Sequence, residues 1–286
     1  MLEPGNGGRA LVLAAGGVAG IAWELGLLAG LQAADVDLTA ADVVIGTSAG
    51  SAVGVYASSG VPLDEAVERV LANDTERHMP YDVTARRAFL AQVVGDAHDE
   101  VEAATRIGRM ALAADTAVSA AERRAIVAAR LPVTEWPARS LRVNAVDAMS
   151  GMAVTFDRSS DVPLVDAVAA SCAVPGVWPA VQIGARWYVD GGAHSYTSAD
   201  LAAGNARVVI VCPSELAARP RLALDRELAM LRVDSEVTMV GPDAQTLAVK
   251  SPNPLDPAEC ATMASEGRRQ AASIAEQLRR FWNPAG

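Results

Sequence analysis

Residues 43–53, with the sequence Val-Val-Ile-Gly-Thr-Ser-Ala-Gly-Ser-Ala-Val, predict a buried strand that turns sharply into a helix. Within them, Gly46 to Gly50 fit the G-x-S-x-G pattern of a nucleophile elbow, in which a tight turn lifts a serine hydroxyl clear of its neighbours. Gly46 and Gly50 suit such a turn because a Cβ at either position would collide with the strand or the helix. Ser48 is therefore a candidate nucleophile, although an ordinary serine between glycines at a strand–helix turn has the same pattern.

Length and composition narrow the possible classes of protein. The chain has 286 residues, of which 51% are hydrophobic and 4% aromatic, so it can bury a substantial core. We expect one α/β domain over residues 1–286. The net charge of −10 argues against nucleic acid as a partner and against strong electrostatic docking on anionic membranes.

The cysteines and the N-terminal residues bear on cofactors and location. The 3 cysteines, at positions 172, 212 and 260, are far apart and match no metal-binding spacing, so we expect no metal and no other cofactor. Residues 1–8 lack the basic and apolar regions of a signal peptide, and no apolar run is long enough to span a membrane. These features predict a cytoplasmic protein.

A glycine-rich segment follows the first predicted strand, over residues 9–14. Its sequence, Ala-Gly-Gly-Val-Ala-Gly at positions 15–20, precedes a predicted helix over residues 21–34. Backbone amides in such a loop can bind a nucleotide or form an oxyanion hole, and the glycines can also serve close packing. Ala15 stands where a dinucleotide fingerprint has its first glycine. The elbow one βα unit later favours an oxyanion hole, because acyl transfer needs both parts at one edge of the sheet.

The middle of the chain reads as a helical insertion at about residues 61–138. Helices are predicted over residues 63–72, 85–94, 99–114 and 120–129, from apolar periodicity and a capping box at Ser119 and Glu122. These helices could cap the active site and contact lipid, or they could form a helical layer on the sheet. His78 and His98 lie in polar stretches of this segment and are expected to be solvated.

The second informative site lies in the C-terminal half. Strands are predicted over residues 141–145, 152–156 and 185–189, with a helix over 165–170 before the last of them. Asp190-Gly191-Gly192 follows the third strand. The two glycines allow close approach of another segment and would leave Asp190 in a crowded cleft. A turn aspartate before a glycine pair is the simpler alternative.

The remaining elements complete an alternating α/β pattern. A short helix is predicted from residue 197 to about 203, and strands over 207–212 and 236–240. Helices are predicted over 222–232 and from about 256 to 280, the last opened by Asp256 and Pro257.

Three blocks, in this order, resemble those of the patatin-like phospholipases. They are the glycine-rich loop at residues 15–20, the elbow at 46–50 and the Asp-Gly-Gly block at 190–192. The loop at residues 170–176 is similar to the stretch that precedes the aspartate in bacterial members, and the resemblance extends over about residues 9–201. It implies a three-layer α/β/α fold with a mostly parallel central sheet.

The resemblance also implies an activity. It makes Ser48 the nucleophile and Asp190 the base of a Ser–Asp dyad that hydrolyses acyl esters of lipids, as a phospholipase A or a lysophospholipase does. The chain departs from the family pattern at Ala15, where a glycine is usual, and at Ala19, where arginine or lysine is usual.

The few histidines support a dyad over a triad independently. A Ser–His–Asp hydrolase with this elbow should have its histidine late in the chain, after the acid. Of the 3 histidines only His194 follows Asp190, at a distance of four residues. Asp190 is therefore the favoured partner of Ser48, with His194 as the alternative base. In either case the amides of Gly16, Gly17 and Val18 would stabilise the oxyanion, with Gly20, Gly46, Gly50, Gly191 and Gly192 supporting the motifs.

The expected partners follow from this activity. They are a lipid or acyl ester substrate and, transiently, a membrane surface. Two other classes stay open: a catalytically silent binding or scaffolding protein with the same fold, which the two substitutions in the first loop suggest, and a nucleotide-binding protein.

Overall fold

The computed structural model describes residues 7–214 and 222–283, and residues 1–6, where no signal peptide is predicted, lie outside that range. The described residues form one eight-stranded sheet. Its strands are β1 (Arg9–Leu13), β2 (Val43–Thr47), β3 (Leu141–Asp147), β4 (Ala153–Phe156), β5 (Val181–Ile183), β6 (Arg186–Asp190), β7 (Arg207–Val211) and β8 (Glu236–Val240).

The sheet is mostly parallel, as predicted. Consecutive strands in the series β5-β6-β3-β2-β1-β7-β8 are hydrogen-bonded to each other, and β4 also pairs with β3. Strands β3, β2, β1, β7 and β8 are parallel neighbours, whereas β4, β5 and β6 pair antiparallel. Every residue of β2 is buried, which explains its uninterrupted apolar start, because a central parallel strand is covered on both faces.

Helices cover both faces of the sheet. They are α1 (Gly17–Ala33), α2 (Ala49–Ser59), α3 (Leu63–Leu71), α4 (Val83–Val94), α5 (Glu100–Leu112), α6 (Ala120–Arg130), α7 (Leu164–Ser171), α8 (Leu222–Leu231), α9 (Ala244–Val249) and α10 (Cys260–Trp282). Leu11 and Leu13 of β1 face the core that contains α1, α2 and α10, and Ala10 and Val12 face α8. This two-residue alternation gives the three-layer α/β/α architecture that the resemblance implies.

Among the described helices, α1 and α10 make the most extensive contact, and glycines set the distance between these two helices. A Cβ built on Gly26 would lie 2.1 Å from the carbonyl oxygen of Ala264, and one built on Gly267 would lie 2.2 Å from that of Trp23. The two helices therefore touch backbone to backbone. Within the described ranges, no helix has both the length and the apolar character needed to cross a membrane.

The helices of the 61–138 segment divide between two environments. Leu63 of α3 and Val127 of α6 belong to the main core. Ala104 and Ala111 of α5 instead pack against β3 and β6, near the ends of the strands that carry the site. A cap over the active site formed by the helices of residues 61–138 stays a prediction.

Some elements differ from the sequence-based expectation. Helix α1 begins at Gly17 rather than Ile21, so Gly20 is a helical residue, and a Cβ built on it would lie 3.0 Å from Pro213 Cγ. Residues 197–203 form only a 3₁₀ turn, Ala199–Ala202. Strand β5 and helix α9 were not predicted, because three residues show no period and α9 has only six.

Candidate active site

Ser48 occupies a strained turn between β2 and α2. Its φ of 54° and ψ of −117° are outside the regions that non-glycine residues favour, and such strain persists only where the surroundings enforce it. A Cβ on Gly46 would lie 2.5 Å from the oxygen of Gly50, and one on Gly50 would lie 2.0 Å from the oxygen of Leu13. The Gly50 amide donates to the carbonyl of Ala14 at 3.1 Å. Close backbone contacts on both sides therefore hold the elbow.

The register of β3 explains why Ser48 and Asp190 meet. Thr47, the last residue of β2, lies opposite Asn144, and Asp190, the last residue of β6, lies opposite Ala145. Strand β4 pairs with residues 143–146, so it occupies the other edge of β3. Because β2 is parallel and β6 antiparallel to β3, the two strands run towards each other along one edge and end side by side.

The two side chains are in direct contact at this meeting point. Ser48 Oγ donates to Asp190 Oδ2 at 2.7 Å. The other carboxylate oxygen, Oδ1, accepts from the Gly192 amide at 2.8 Å. Both residues are 5% exposed. Gly191 allows the strand ends to approach, because a Cβ there would lie 2.6 Å from the Asn144 oxygen. This geometry suits proton transfer from the hydroxyl to the carboxylate.

The C-terminal end of α7 and the residue that follows it support the elbow, which the sequence did not reveal. Ser171 Oγ accepts from the Ser48 amide at 2.9 Å, and Cys172 Sγ donates to the Ser48 carbonyl at 3.2 Å. Ser51 Oγ donates to the same carbonyl at 2.6 Å. Burial raises the pKa of the Cys172 thiol, so this group acts as a neutral donor. The similarity of residues 170–176 to a family loop was the available signal, but it assigned no contact to Ser171.

The glycine-rich loop presents backbone amides beside Ser48. Gly16 and Gly17 line the same cavity as the dyad, and the φ of Gly17 is +68°. In residues 7–214 and 222–283, the amides of Gly16, Gly17 and Val18 have no protein acceptor, whereas the neighbouring amide of Ala19 donates to Pro254. Val18 itself lines a separate small cavity of about 40 Å³. A helix N-terminus with amides of this kind suits an oxyanion.

A cavity of about 590 Å³ opens over these groups. Much of its wall is apolar, and the side chains come from the 61–138 segment and the C-terminal part of the chain: Val83, Leu90, Ile107, Val174, Leu247 and Leu255. Among the described residues, no cluster of three or more histidine, cysteine, aspartate or glutamate side chains could hold a metal ion.

The histidines lie apart from the dyad contact. His194 is not part of the cavity wall, and its buried Nδ1 has no hydrogen-bond partner in the described part of the chain. His78 pairs with Asp256 at 3.2 Å, on the surface. No contact between His194 and Ser48 in the described residues therefore supports His194 as the alternative base, whereas Asp190 contacts Ser48 directly.

The described residues define an α/β protein with a nucleophile-type elbow, whose serine is hydrogen-bonded to a carboxylate at the end of a mostly parallel sheet between helical layers. The sequence model of the patatin-like phospholipase family matches residues 11–203. The chain therefore belongs to the patatin-like phospholipase family, a family of lipid acyl hydrolases, and the resemblance seen in the three blocks is confirmed.

Comparison with solved structures gives distant likenesses. VipD from Legionella pneumophila is 11% identical with a TM-score of 0.47, and the match covers 96% of this chain and 68% of VipD. The type III effector protein ExoU is 15% identical with a TM-score of 0.40, and the match covers 96% of this chain but only 54% of ExoU. A comparison with curated proteins finds no match.

Proposed function

We propose that this protein is a serine acyl hydrolase that cleaves carboxylic esters of lipids, with Ser48 as the nucleophile and Asp190 as the base. The observation that carries the proposal is the 2.7 Å hydrogen bond from Ser48 Oγ to Asp190 Oδ2, formed in the wall of a large, partly apolar cavity. Membership of the patatin-like phospholipase family supports the choice of a lipid ester as substrate.

The reaction divides into two steps on this geometry. In the first, Asp190 removes the hydroxyl proton while Ser48 Oγ attacks the ester carbonyl, and the amides of Gly16, Gly17 and Val18 bind the resulting oxyanion. Collapse of this intermediate breaks the bond to the alcohol, which takes the proton from Asp190 as it leaves. In the second step a water gives a proton to Asp190 and attacks the acyl carbon. Collapse of this second intermediate breaks the bond to Ser48 Oγ, which takes the proton back from Asp190 as the fatty acid is released.

The apolar side chains of the cavity wall support a lipid as the substrate. The cavity wall offers enough hydrophobic surface for an acyl chain, which gains about 0.8 kcal/mol for each buried CH₂ group. Phe89 on α4 and Val249 on α9 are exposed at 42% and 48%, on two helices that also line the cavity. The exposure of these two side chains supports transient contact with a membrane surface. We expect the protein itself to be cytoplasmic.

Substitution of Ser48 tests the proposed function directly. The purified protein should hydrolyse p-nitrophenyl acyl esters and phospholipids, and it should be labelled by a fluorophosphonate probe. Ser48→Ala should lose both properties, whereas Ser273→Ala, in the last helix far along the chain, should keep both. Hydrolysis by Ser48→Ala at the parent rate would show the assignment to be wrong. A folded parent that is neither active nor labelled would favour the silent scaffold instead.

A further inference from the structure

A mostly buried segment, residues 195–199, joins two of the three sequence blocks of the site. The amide of Ser195 donates to the carbonyl of Gly191, in the Asp-Gly-Gly block, at 3.1 Å. The carbonyl of Tyr196 accepts at 2.9 Å from the amide of Ala15, the first residue of the glycine-rich loop. Both bonds are made by the backbone of the segment. A shift of the segment would therefore move the loop relative to the block that carries the proposed base.

The same segment reaches the third block, the elbow, in a strained conformation. Ser198 Oγ lies 3.5 Å from Oγ1 of Thr47, the residue before the proposed nucleophile. The φ of Ser198 is 48° and its ψ is 41°, a left-handed conformation that costs energy for a residue other than glycine. Such a conformation persists only where the surrounding contacts enforce it, so the segment needs an anchor.

Glu227 of α8 supplies this anchor. Its Oε2 atom accepts from the hydroxyl of Thr197, and it also accepts from the amide of Ala199 at 3.1 Å. Glu227 is 7% exposed and Thr197 is 1% exposed, and a buried carboxyl is stable only when its oxygens accept hydrogen bonds. Thr197 and Ala199 are the two neighbours of Ser198 in the chain. The carboxyl therefore holds the strained residue from both sides.

We propose that Glu227 is a positioning residue for catalysis, which anchors the 195–199 segment and so holds the glycine-rich loop in place relative to Ser48 and Asp190. The inference rests on the proposed function, in which the amides of that loop bind the oxyanion. Glu227 does not line the cavity, so it acts through the segment and not on the substrate. Loss of the anchor should lower kcat and leave KM nearly unchanged, because it misplaces groups that bind the transition state and spares the apolar wall.

The first test removes one hydroxyl from the anchor. Thr197→Val keeps the shape of the side chain but cannot donate to Glu227. We expect kcat for p-nitrophenyl octanoate to fall by about tenfold to 10²-fold, the cost of a small displacement of the reacting groups, with KM within about threefold of the parent. Glu227→Gln keeps an oxygen that can accept from Thr197 and Ala199, so its kcat should stay within about threefold of the parent. Glu227→Leu should lose at least as much as Thr197→Val.

Thr39→Val is the matched control. Thr39 is buried, and its hydroxyl donates to Asp37 Oδ1 at 2.6 Å, so the control makes the same chemical change at another pair of threonine and carboxylate. This pair precedes the N-terminal end of β2, whereas Ser48 follows the C-terminal end. Urea unfolding should show a loss of stability in both valine variants, with kcat lowered only in Thr197→Val. Equal kcat values in the two variants would overturn the proposal.

Hydrogen exchange separates this inference from the proposed function. By NMR, the amide of Ala15 should exchange about tenfold or more faster in Thr197→Val than in the parent, because its acceptor, the Tyr196 carbonyl, is held less firmly. The adjacent amide of Ala14, which donates to β7, should exchange at the parent rate. If the parent hydrolyses no ester, the proposed function fails, and faster exchange confined to Ala15 still supports Glu227 as the anchor of the loop. An Ala15 amide that exchanges at the parent rate in Thr197→Val overturns the inference, even in an active enzyme.

Discussion

Gly17 and Pro254 are in backbone contact across the entrance to α1. A Cβ built on Gly17 would lie 2.4 Å from the carbonyl oxygen of Pro254, and the φ of Gly17 is +68°. The same carbonyl accepts from the Ala19 amide at 3.1 Å. This contact fixes the direction of the neighbouring amides, because the loop cannot shift without breaking it. The C-terminal part of the chain thus orients a loop that belongs to the first βα unit.

Replacement of Gly17 by alanine should therefore damage activity more than stability. The added Cβ pushes the loop away from Pro254 and misdirects the amides proposed to bind the oxyanion. We expect kcat to fall by about 10²–10³, the usual cost of losing such a donor. Gly60→Ala is the matched control, since Gly60 has a φ of +78° but nothing within 4 Å of a Cβ. It should cost about 1 kcal/mol of stability and leave kcat unchanged. Equal activity in the two variants would contradict the role of the loop.

Replacement of the Asp190 carboxylate by an amide should slow turnover strongly while the site keeps its shape. Asp190→Asn keeps the size of the side chain and can still contact Ser48, but an amide cannot accept the hydroxyl proton. We expect a loss in kcat of about 10²–10⁴, the range attributed to general base catalysis. Steady-state rates and the rate of fluorophosphonate labelling should fall together. Labelling at the parent rate would show that another group activates Ser48.

His194 distinguishes a dyad from a triad. Its side chain is outside the cavity wall, so His194→Asn should change kcat by less than about tenfold. A triad would lose far more, since its histidine carries every proton transfer. The pH–rate profile of the variant should also keep the shape of the parent profile. A loss comparable to that of Asp190→Asn would restore His194 as the base.

The buried Glu76 side chain should make stability depend on pH. It lies between Arg123 and Arg130, with 5% of the side chain exposed and 2.7 Å from its Oε1 to Arg123 Nη1. Burial alone would raise the pKa of this carboxyl, but Arg130 and Arg123 outweigh burial and hold the pKa below its usual value of 4.5. A carboxyl with a lowered pKa in the folded state contributes stability above pH 4.5, which is lost as the pH falls through the lowered value.

Glu76→Gln should accordingly destabilise the protein by about 3–5 kcal/mol at pH 7, because two arginines are left buried with a neutral partner. Urea unfolding at pH 7 and again below pH 4 measures the difference from the parent, which should shrink in acid. Glu122→Gln, which removes the exposed partner of Arg77, should cost less than about 1 kcal/mol at either pH. A difference between Glu76→Gln and the parent that does not change with pH would refute this explanation.

Much of the fold could be predicted from interactions between residues that are close in the sequence. The apolar run before Gly46 predicts a central strand because both of its faces are covered, and Gly46 and Gly50 predict the elbow because only small residues permit its backbone contacts. The capping side chain of Ser119, which accepts from the Glu122 amide at 3.1 Å, marks the start of α6 as predicted. Such features depend on neighbours within a few residues, and the sequence carries that information directly.

Which residues form the site could be learned only from the tertiary structure. Ser48 and Asp190 are 142 positions apart, and they meet only because β2 and β6 end side by side on one edge of β3. Motif order suggested the pair, but no periodicity encodes that register. Ser171 beside the elbow carried no motif that assigned it to the Ser48 amide. Strand pairing and loop packing, which join distant residues, selected these contacts.

The sequence by itself determined the three glycine-marked blocks, the alternation of strands and helices and the family they imply, because short-range sterics and apolar periodicity govern each of these. Only the tertiary structure decided which side chains share the cavity: Arg86 comes from the helical insertion, and Lys250 from the end of a six-residue helix that was not predicted. The physical reason is that a cavity is the space left between packed elements. Its lining follows from how those elements cross, and not from any one of them.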